Sequence, residues 1–184
     1  MPHNLSYRLQ TETPPIPELG YYPITICIFA VQMQIEFSKY DLKFSSQNNI
    51  QYIFDIIRKK HVVLTPEEWV RQHIVHYLLY DHHYPKALIS VEKKLTLNEM
   101  TKRTDIVLYN QKAVPVLIVE CKAESVPISQ KTFEQIARYN LILNVPYLWV
   151  SNGKTNFLSK IDHELKTFSF LDQLPGSEEL LFRV

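Results

Sequence analysis

The stretch that most restricts how this chain can fold is residues 114–122, where Val114, Val116, Leu117, Ile118 and Val119 run straight into Glu120, Cys121 and Lys122. Apolar residues stand at both parities, so the run reads as a strand covered on both faces, and the fold must supply packing above and below it. Strand side chains alternate, which puts Glu120 and Lys122 on one face and Cys121 on the other. Burying a carboxylate and an ammonium costs roughly several kcal/mol unless they are paired or bound to a metal. Glu120 and Lys122 are therefore either a structural pair or a site.

A second carboxylate arrives from the preceding strand. Asp105 opens the β-rich run 105–109, and a tight connection over residues 110–113 makes that run a hairpin neighbour of the strand holding Glu120. Asp105 near the start of one strand and Glu120 near the end of its antiparallel partner meet at one edge of the sheet. Like charges this close raise a carboxylate pKa, and a divalent cation relieves the repulsion while leaving both groups ionised. Oxygen-only ligation suits Mg²⁺ or Mn²⁺ better than zinc.

The flanking sequence supplies the rest of an α/β fold. Thr65, Pro66 and Glu68 form a capping box that opens a helix carrying Trp69, Val70, His73, Ile74, Tyr77 and Leu78 on one face and ending near residues 81–85. Ile89, Val91, Lys93, Leu95 and Leu97 alternate with more polar residues as a half-exposed strand. After the central strand, Ser129 can cap a helix with Phe133, Ile136, Ala137, Asn140 and Leu141, and a last strong strand over residues 147–151 ends at Asn152 and Gly153. The core order is helix, strand, strand, strand, helix, strand. A helix between the third and fourth strands marks a parallel crossover, and short links among the first three favour antiparallel pairing, so a mixed sheet flanked by helices is expected. Residues 167–170 suggest a further strand, followed by a short helix. Upstream, Ile50, Ile53, Phe54 and Ile57 recur at helical spacing before Arg58, Lys59 and Lys60, which predicts a short amphipathic helix. Residues 1–40 are expected to be a partly irregular arm punctuated by prolines, with a possible strand over residues 24–37 and an alternative start at Met33. Residues 41–184 then form the domain, with its core at about 64–153.

Composition narrows the function. Twenty Lys and Arg against nineteen Asp and Glu give a formal charge of +1, so nucleic-acid binding driven by bulk charge is excluded and any anion needs a local patch. With three glycines the chain has no glycine-rich phosphate loop or dinucleotide-binding turn. Two cysteines, Cys27 and Cys121, make neither a disulfide framework nor a multi-cysteine zinc site, and a reducing cytoplasm is the natural compartment. The apolar run over residues 21–31 is too short to span a membrane, and no secretory signal is expected. His73, His76, His82 and His83 are close in sequence without a zinc-binding motif, and Tyr77, Phe133, Tyr147 and Trp149 read as core rather than a base-stacking platform.

Asp105, followed by Glu120-x-Lys122, resembles the core motif of the PD-(D/E)xK nuclease superfamily, and the inferred element order is similar to that superfamily's common core. The segment from Leu64 through Glu68 to Gln72, Arg103-Thr104-Asp105-Ile106-Val107, Glu120-Cys121-Lys122-Ala123, Gln135 with Tyr139, and Ser151-Asn152-Gly153 together resemble the N-terminal nuclease domain of type I restriction enzyme R subunits, in its short stand-alone branch. The likeness spans about residues 50–160. It implies a restriction-endonuclease-like fold and Mg²⁺-dependent hydrolysis of phosphodiesters, with DNA the expected substrate. Asp105 and Glu120 would hold the metal. Lys122 would stabilise the attacking hydroxide and the phosphoryl charge, while Gln135 and Tyr139 on one helix face would orient Lys122 or the DNA backbone. Glu68 is the candidate for the first-helix glutamate that often contributes, and Lys102, Arg103 and Arg138 are candidate nucleic-acid contacts. Thr104 stands where proline is usual. This chain carries no motor motif, so ATP-coupled cleavage is not expected from it alone; a homodimer or a partner protein would supply targeting. A catalytically silent nucleic-acid-binding or adaptor domain of the same fold, and a purely structural α/β protein, are the alternatives.

Overall fold

The computed structural model describes residues 32–184, apart from positions 98, 99, 130–132, 134, 135, 138, 139, 141–143, 166, 183 and 184 and the side chains of 95–102. Strands β1 (Phe44–Gln47), β2 (Ile50–Asp55) and β3 (Lys60–Val63) form a small antiparallel sheet. Helix α1 (Pro66–His76) follows and continues through a wider π turn at Tyr77–Asp81. Strands β4 (Ile89–Leu97), β5 (Met100–Tyr109), β6 (Pro115–Cys121), β7 (Tyr147–Ser151), β8 (Asn156–Asp162) and β9 (Thr167–Leu171) then form one sheet in that spatial order, and α2 (Ser177–Phe182) closes the described chain. Every neighbouring pair in the large sheet is antiparallel except β6 and β7, which run parallel. This is the mixed α/β architecture that the sequence implies.

The central strand is enclosed as its composition demands. Leu117, Val119 and Cys121 of β6 join Ile106 and Leu108 of β5 and Trp149 of β7 against Val70, Ile74, Val75 and Leu78 of the α1 region. On the opposite side, Ile118, Val107, Leu148 and Val150 pack against Phe133, Ile136 and Ala137, which are helical residues of the crossover between β6 and β7. A parallel connection needs such a crossover, and its helix supplies the second layer.

The segment 50–57 is a strand and turn rather than the expected helix. Asn48 and Asn49 adopt φ of 51° and 61°, the left-handed pair that a two-residue hairpin turn requires, so β1 folds back on β2. At the other end, the Asp55 carboxylate accepts from the N–H groups of Ile57 and Arg58, both at 2.8 Å, and holds the chain in the turn before β3. Within β2 only Ile53 and Asp55 are buried, a period of two. The spacing of four apolar residues mimics a helix, but the turn chemistry at Asn48, Asn49 and Asp55 decides the outcome.

Other expectations fare differently. Thr65 caps α1 by accepting from the Glu68 N–H at 3.0 Å, but the returning half of the expected capping box is replaced: the Thr65 N–H donates to Val63 O at 3.1 Å, and the Glu68 carboxylate accepts from Arg58, Arg71 and Gln72. β5 starts five residues before Asp105, so Asp105 lies in its second half and not near its start. Of the possible strand over 24–37, residues 24–31 lie outside the described residues and 32–37 are irregular. Met33 is nevertheless buried, and its N–H donates to Asn156 O at 2.9 Å. β8 is an element the sequence reading does not contain. It buries Asn156 and Ser159, and Asn156 Oδ1 accepts from Trp149 Nε1 at 3.2 Å and from Ser151 Oγ at 2.6 Å, so satisfied polar groups hide the strand's inward face. Gly153 makes the β7–β8 turn with φ 89°, and a Cβ there would meet Val70 Cγ2 at 3.4 Å.

Because Leu117 is fully enclosed, Leu117→Ala should lower the unfolding free energy by about 2–5 kcal/mol in urea denaturation. A loss within about 0.5 kcal/mol, the range of surface substitutions, would contradict the double enclosure of β6.

Candidate active site

The strand register brings the carboxylates together. Ile106 pairs with Val119, so one step along the antiparallel ladder sets Asp105 opposite Glu120, the penultimate residue of β6. The Cys121 N–H donates to Asp105 Oδ2 at 2.7 Å, which pins the Asp105 carboxylate to the end of β6. On the other side of β5, Val91 pairs with Ile106 and Lys93 with Thr104, placing Glu92 level with Asp105. Glu92, Asp105 and Glu120 therefore lie at one level across three adjacent strands. Glu92 also has φ 52°, a left-handed conformation that costs a non-glycine residue on the order of 1–3 kcal/mol and persists only where surrounding contacts hold it.

Those contacts come from arginines. Arg71 of α1 donates from Nη2 to Asp105 Oδ1 at 2.8 Å and to Glu67 Oε1 at 3.1 Å. Its Nη1 bonds Glu68 Oε2 and lies 3.7 Å from Glu92 Oε1. Arg58, on the turn before β3, bonds Asp55 Oδ2 through Nε at 2.5 Å, Glu68 Oε1 through Nη2 at 2.9 Å, and Glu92 Oε2 through Nη1. Arg103 Nη2 reaches Glu92 Oε1 at 2.6 Å. Among the described residues, the carboxylates of Asp55, Glu67, Glu68, Glu92 and Asp105 outnumber the guanidiniums of Arg58, Arg71 and Arg103 in this network by two.

Burial makes the pairing matter. Arg71 and Glu68 are both buried, and an unpaired charge of either kind would be expensive there. Burial works against the charge of Arg71, but Asp105 and Glu68 outweigh it and hold its pKa above the ordinary arginine value. Burial likewise opposes ionisation of Glu92, yet Arg103, Arg58 and Arg71 pull its pKa below the usual carboxylate value. The Cys121 thiol is pushed well up by burial, reinforced by Asp105, and is an inert core group rather than a nucleophile.

Each residue singled out from the sequence can now be placed. Asp105 and Glu120 are brought together. Lys122 follows β6 directly, is partly buried, and its N–H donates to Ser151 O at 2.8 Å, extending the parallel ladder to β7. Glu68 lies beside the carboxylates but is already engaged by Arg58, Arg71 and Gln72 Nε2, the last at 2.8 Å. Arg103 is exposed and bonded to Glu92, whereas the Lys102 side chain lies outside the described residues. Gln135, Arg138 and Tyr139 also lie outside them.

Arg58, Arg71 and Glu92 are what sequence reasoning missed. Arg71 had a readable signal, standing three and four residues after Glu68 and Glu67 on one helix. Glu92 had none, because it occupies a polar position of an alternating strand. Among the described residues, no three His, Cys, Asp or Glu side chains are grouped so that they could hold a metal ion by themselves. Nor is any described helix long and apolar enough to cross a membrane.

These features define a mixed α/β domain with a carboxylate pair and a lysine at the end of its central strand. A family model described as the type I restriction enzyme R protein N terminus matches residues 66–175, more than half of the chain, and the chain belongs to that family. Among solved structures it is similar to a fragment described as an HsdR subunit of a type I restriction enzyme from Vibrio vulnificus YJ016, with 20% sequence identity and a TM-score of 0.43. That match covers 64% of this chain and 24% of the other. No curated protein matches the sequence.

The Glu92 contacts predict a pH dependence. A carboxylate whose folded pKa is depressed contributes stability above its ordinary value, here 4.5, and loses it as pH falls through the folded pKa. Calorimetric scans from pH 6 to pH 3 should show the thermal transition dropping below pH 4.5, and Glu92→Gln should start lower at pH 6 and fall less steeply. Identical slopes for the two proteins would show that the arginines do not hold Glu92 ionised.

Proposed function

We propose that this chain is a divalent-cation-dependent nuclease domain that hydrolyses phosphodiesters in DNA, working within a type I restriction assembly whose other subunits supply targeting. The observation that carries the reading is the strand register that sets Asp105 opposite Glu120, two residues before Lys122, in a chain of the R-subunit family. The cytoplasm is the compartment where such a DNA substrate lies.

The donor set fits Mg²⁺ or Mn²⁺. Asp105 and Glu120 offer hard oxygen ligands, and among the described residues the carboxylates of the surrounding network outnumber its guanidiniums. Two protein carboxylates leave room for water and phosphate oxygens, which is how Mg²⁺ is commonly held. When bound there, the ion supplies Lewis-acid stabilisation of the phosphoryl oxygens and lowers the pKa of a coordinated water. Lys122 places a compact positive charge where negative charge grows in the transition state. Gln135 and Tyr139 orient Lys122 or the DNA backbone, and Lys102, Arg103 and Arg138 contact phosphates. Glu68 serves the site indirectly, by fixing Arg58 and Arg71.

Incubation with plasmid and single-stranded DNA in Mg²⁺ or Mn²⁺ tests the reading. Asp105→Ala and Glu120→Ala should abolish metal-dependent cleavage. Lys122→Ala should bind metal and DNA nearly as well as the parent yet cleave on the order of 10²–10³-fold more slowly, and Lys122→Arg should not recover the parent rate. A parent that binds DNA without cutting it would favour the second reading, a silent DNA-binding domain, to which the Arg71–Asp105 ion pair lends support because it already neutralises a carboxylate assigned to the metal.

A further inference from the structure

We infer that Arg71 is an internal counter-ion of this site, which occupies the Asp105 carboxylate in the resting protein and must release it before a divalent cation can bind tightly. The inference rests on the metal-dependent reading above and assigns a role to a residue outside the carboxylate and lysine motif.

Both oxygens of Asp105 are engaged, Oδ2 by the Cys121 N–H at 2.7 Å and Oδ1 by Arg71 Nη2 at 2.8 Å. The backbone contact is built into the end of β6 and carries no net charge. The guanidinium contact is ionic, so a dication on the same carboxylate would stand beside a full positive charge, and the two must compete. Arg71 is also held in a way that permits release. Its Nη2 is shared between Asp105 and Glu67, Nη1 is shared between Glu68 and a Glu92 oxygen still 3.7 Å away, and Nε is buried without a hydrogen-bond partner among the described residues. A buried donor left unmatched is costly, so the observed position compromises among several carboxylates rather than fitting one of them best. On leaving Asp105 the guanidinium keeps Glu67 and Glu68 and can close on Glu92, so it never becomes an unpaired buried charge. Arg58 and Arg103, bonded to the same Glu92, hold that receiving carboxylate ionised and in place.

Titration of Mn²⁺, followed by loss of the free-ion electron paramagnetic resonance signal, tests this without any cleavage assay. Arg71→Gln should bind Mn²⁺ on the order of 10-fold more tightly than the parent, the scale on which one adjacent charge shifts an ionic equilibrium. Its thermal transition should be lower than the parent's without metal and should rise further when Mn²⁺ is added. Should Arg71→Gln fail to fold, the double variant Arg71→Gln, Glu68→Gln removes one charge of each sign and should bind Mn²⁺ on the order of 10-fold more tightly than Glu68→Gln alone. Tighter binding by either variant than by its own reference protein, including binding where that reference shows none, supports the inference. Equal or weaker binding than a reference that does bind overturns the role of Arg71 and leaves the metal site standing. Absence of binding in parent and variants alike overturns the inference together with the metal-dependent reading.

Discussion

The enclosure of β6 is the constraint on which the rest of the structure depends. A strand apolar at both parities needs a layer on each side, and the chain supplies α1 on one face and the crossover residues around Phe133 and Ile136 on the other. The parallel pairing of β6 with β7 follows, because the second layer is the crossover itself. The apolar run gives out at Glu120 while the strand is still buried, so the polar side chains that gather there from β4, β5 and α1 have to satisfy one another.

What gathers at that place is a charge lattice rather than a set of isolated pairs. Arg71 ties α1 to β5, Arg58 ties the small sheet to α1 and β4, and Glu92 receives three arginines. Buried ion pairs are weak contributors to net stability, but removing one partner from such a set is costly, so the lattice fixes relative positions more than it raises the unfolding free energy. The three-stranded sheet, whose middle strand the sequence presents as a helix, gains its purpose here: the turn that Asp55 organises delivers Arg58 to Glu68 and Glu92.

The sequence made the inner fold legible where burial is uniform or where local chemistry is distinctive. The apolar run into Glu120, the tight connection before Val114 and the capping box at Thr65 each carry a physical requirement that a single sequence can display. Pairing between distant segments is another matter. Glu92 sits among polar residues of an alternating strand, and only the register of β4 against β5 sets it beside Asp105. β8 escaped because Asn156 and Ser159, polar by type, are buried by virtue of their partners. In residues 50–57 a four-residue apolar coincidence outweighed two asparagines whose left-handed preference was the better guide. The pairing of Asp105 with Arg71 was hidden for a further reason, since both residues have nearer partners that account for them locally.

Gly153 connects the far end of the chain to this chemistry. Its turn between β7 and β8 leaves bare backbone against Val70, the residue immediately before Arg71 in α1. With no side chain in between, the hairpin acts as a zero-thickness shim that sets how closely the helix lies on the sheet. Any other residue would have to hold φ 89° against its own sterics, with its Cβ lying in contact with the Val70 methyls. Arg71 thus directly follows, on α1, the residue that rests on this turn, and the turn's left-handed backbone is what glycine meets without strain.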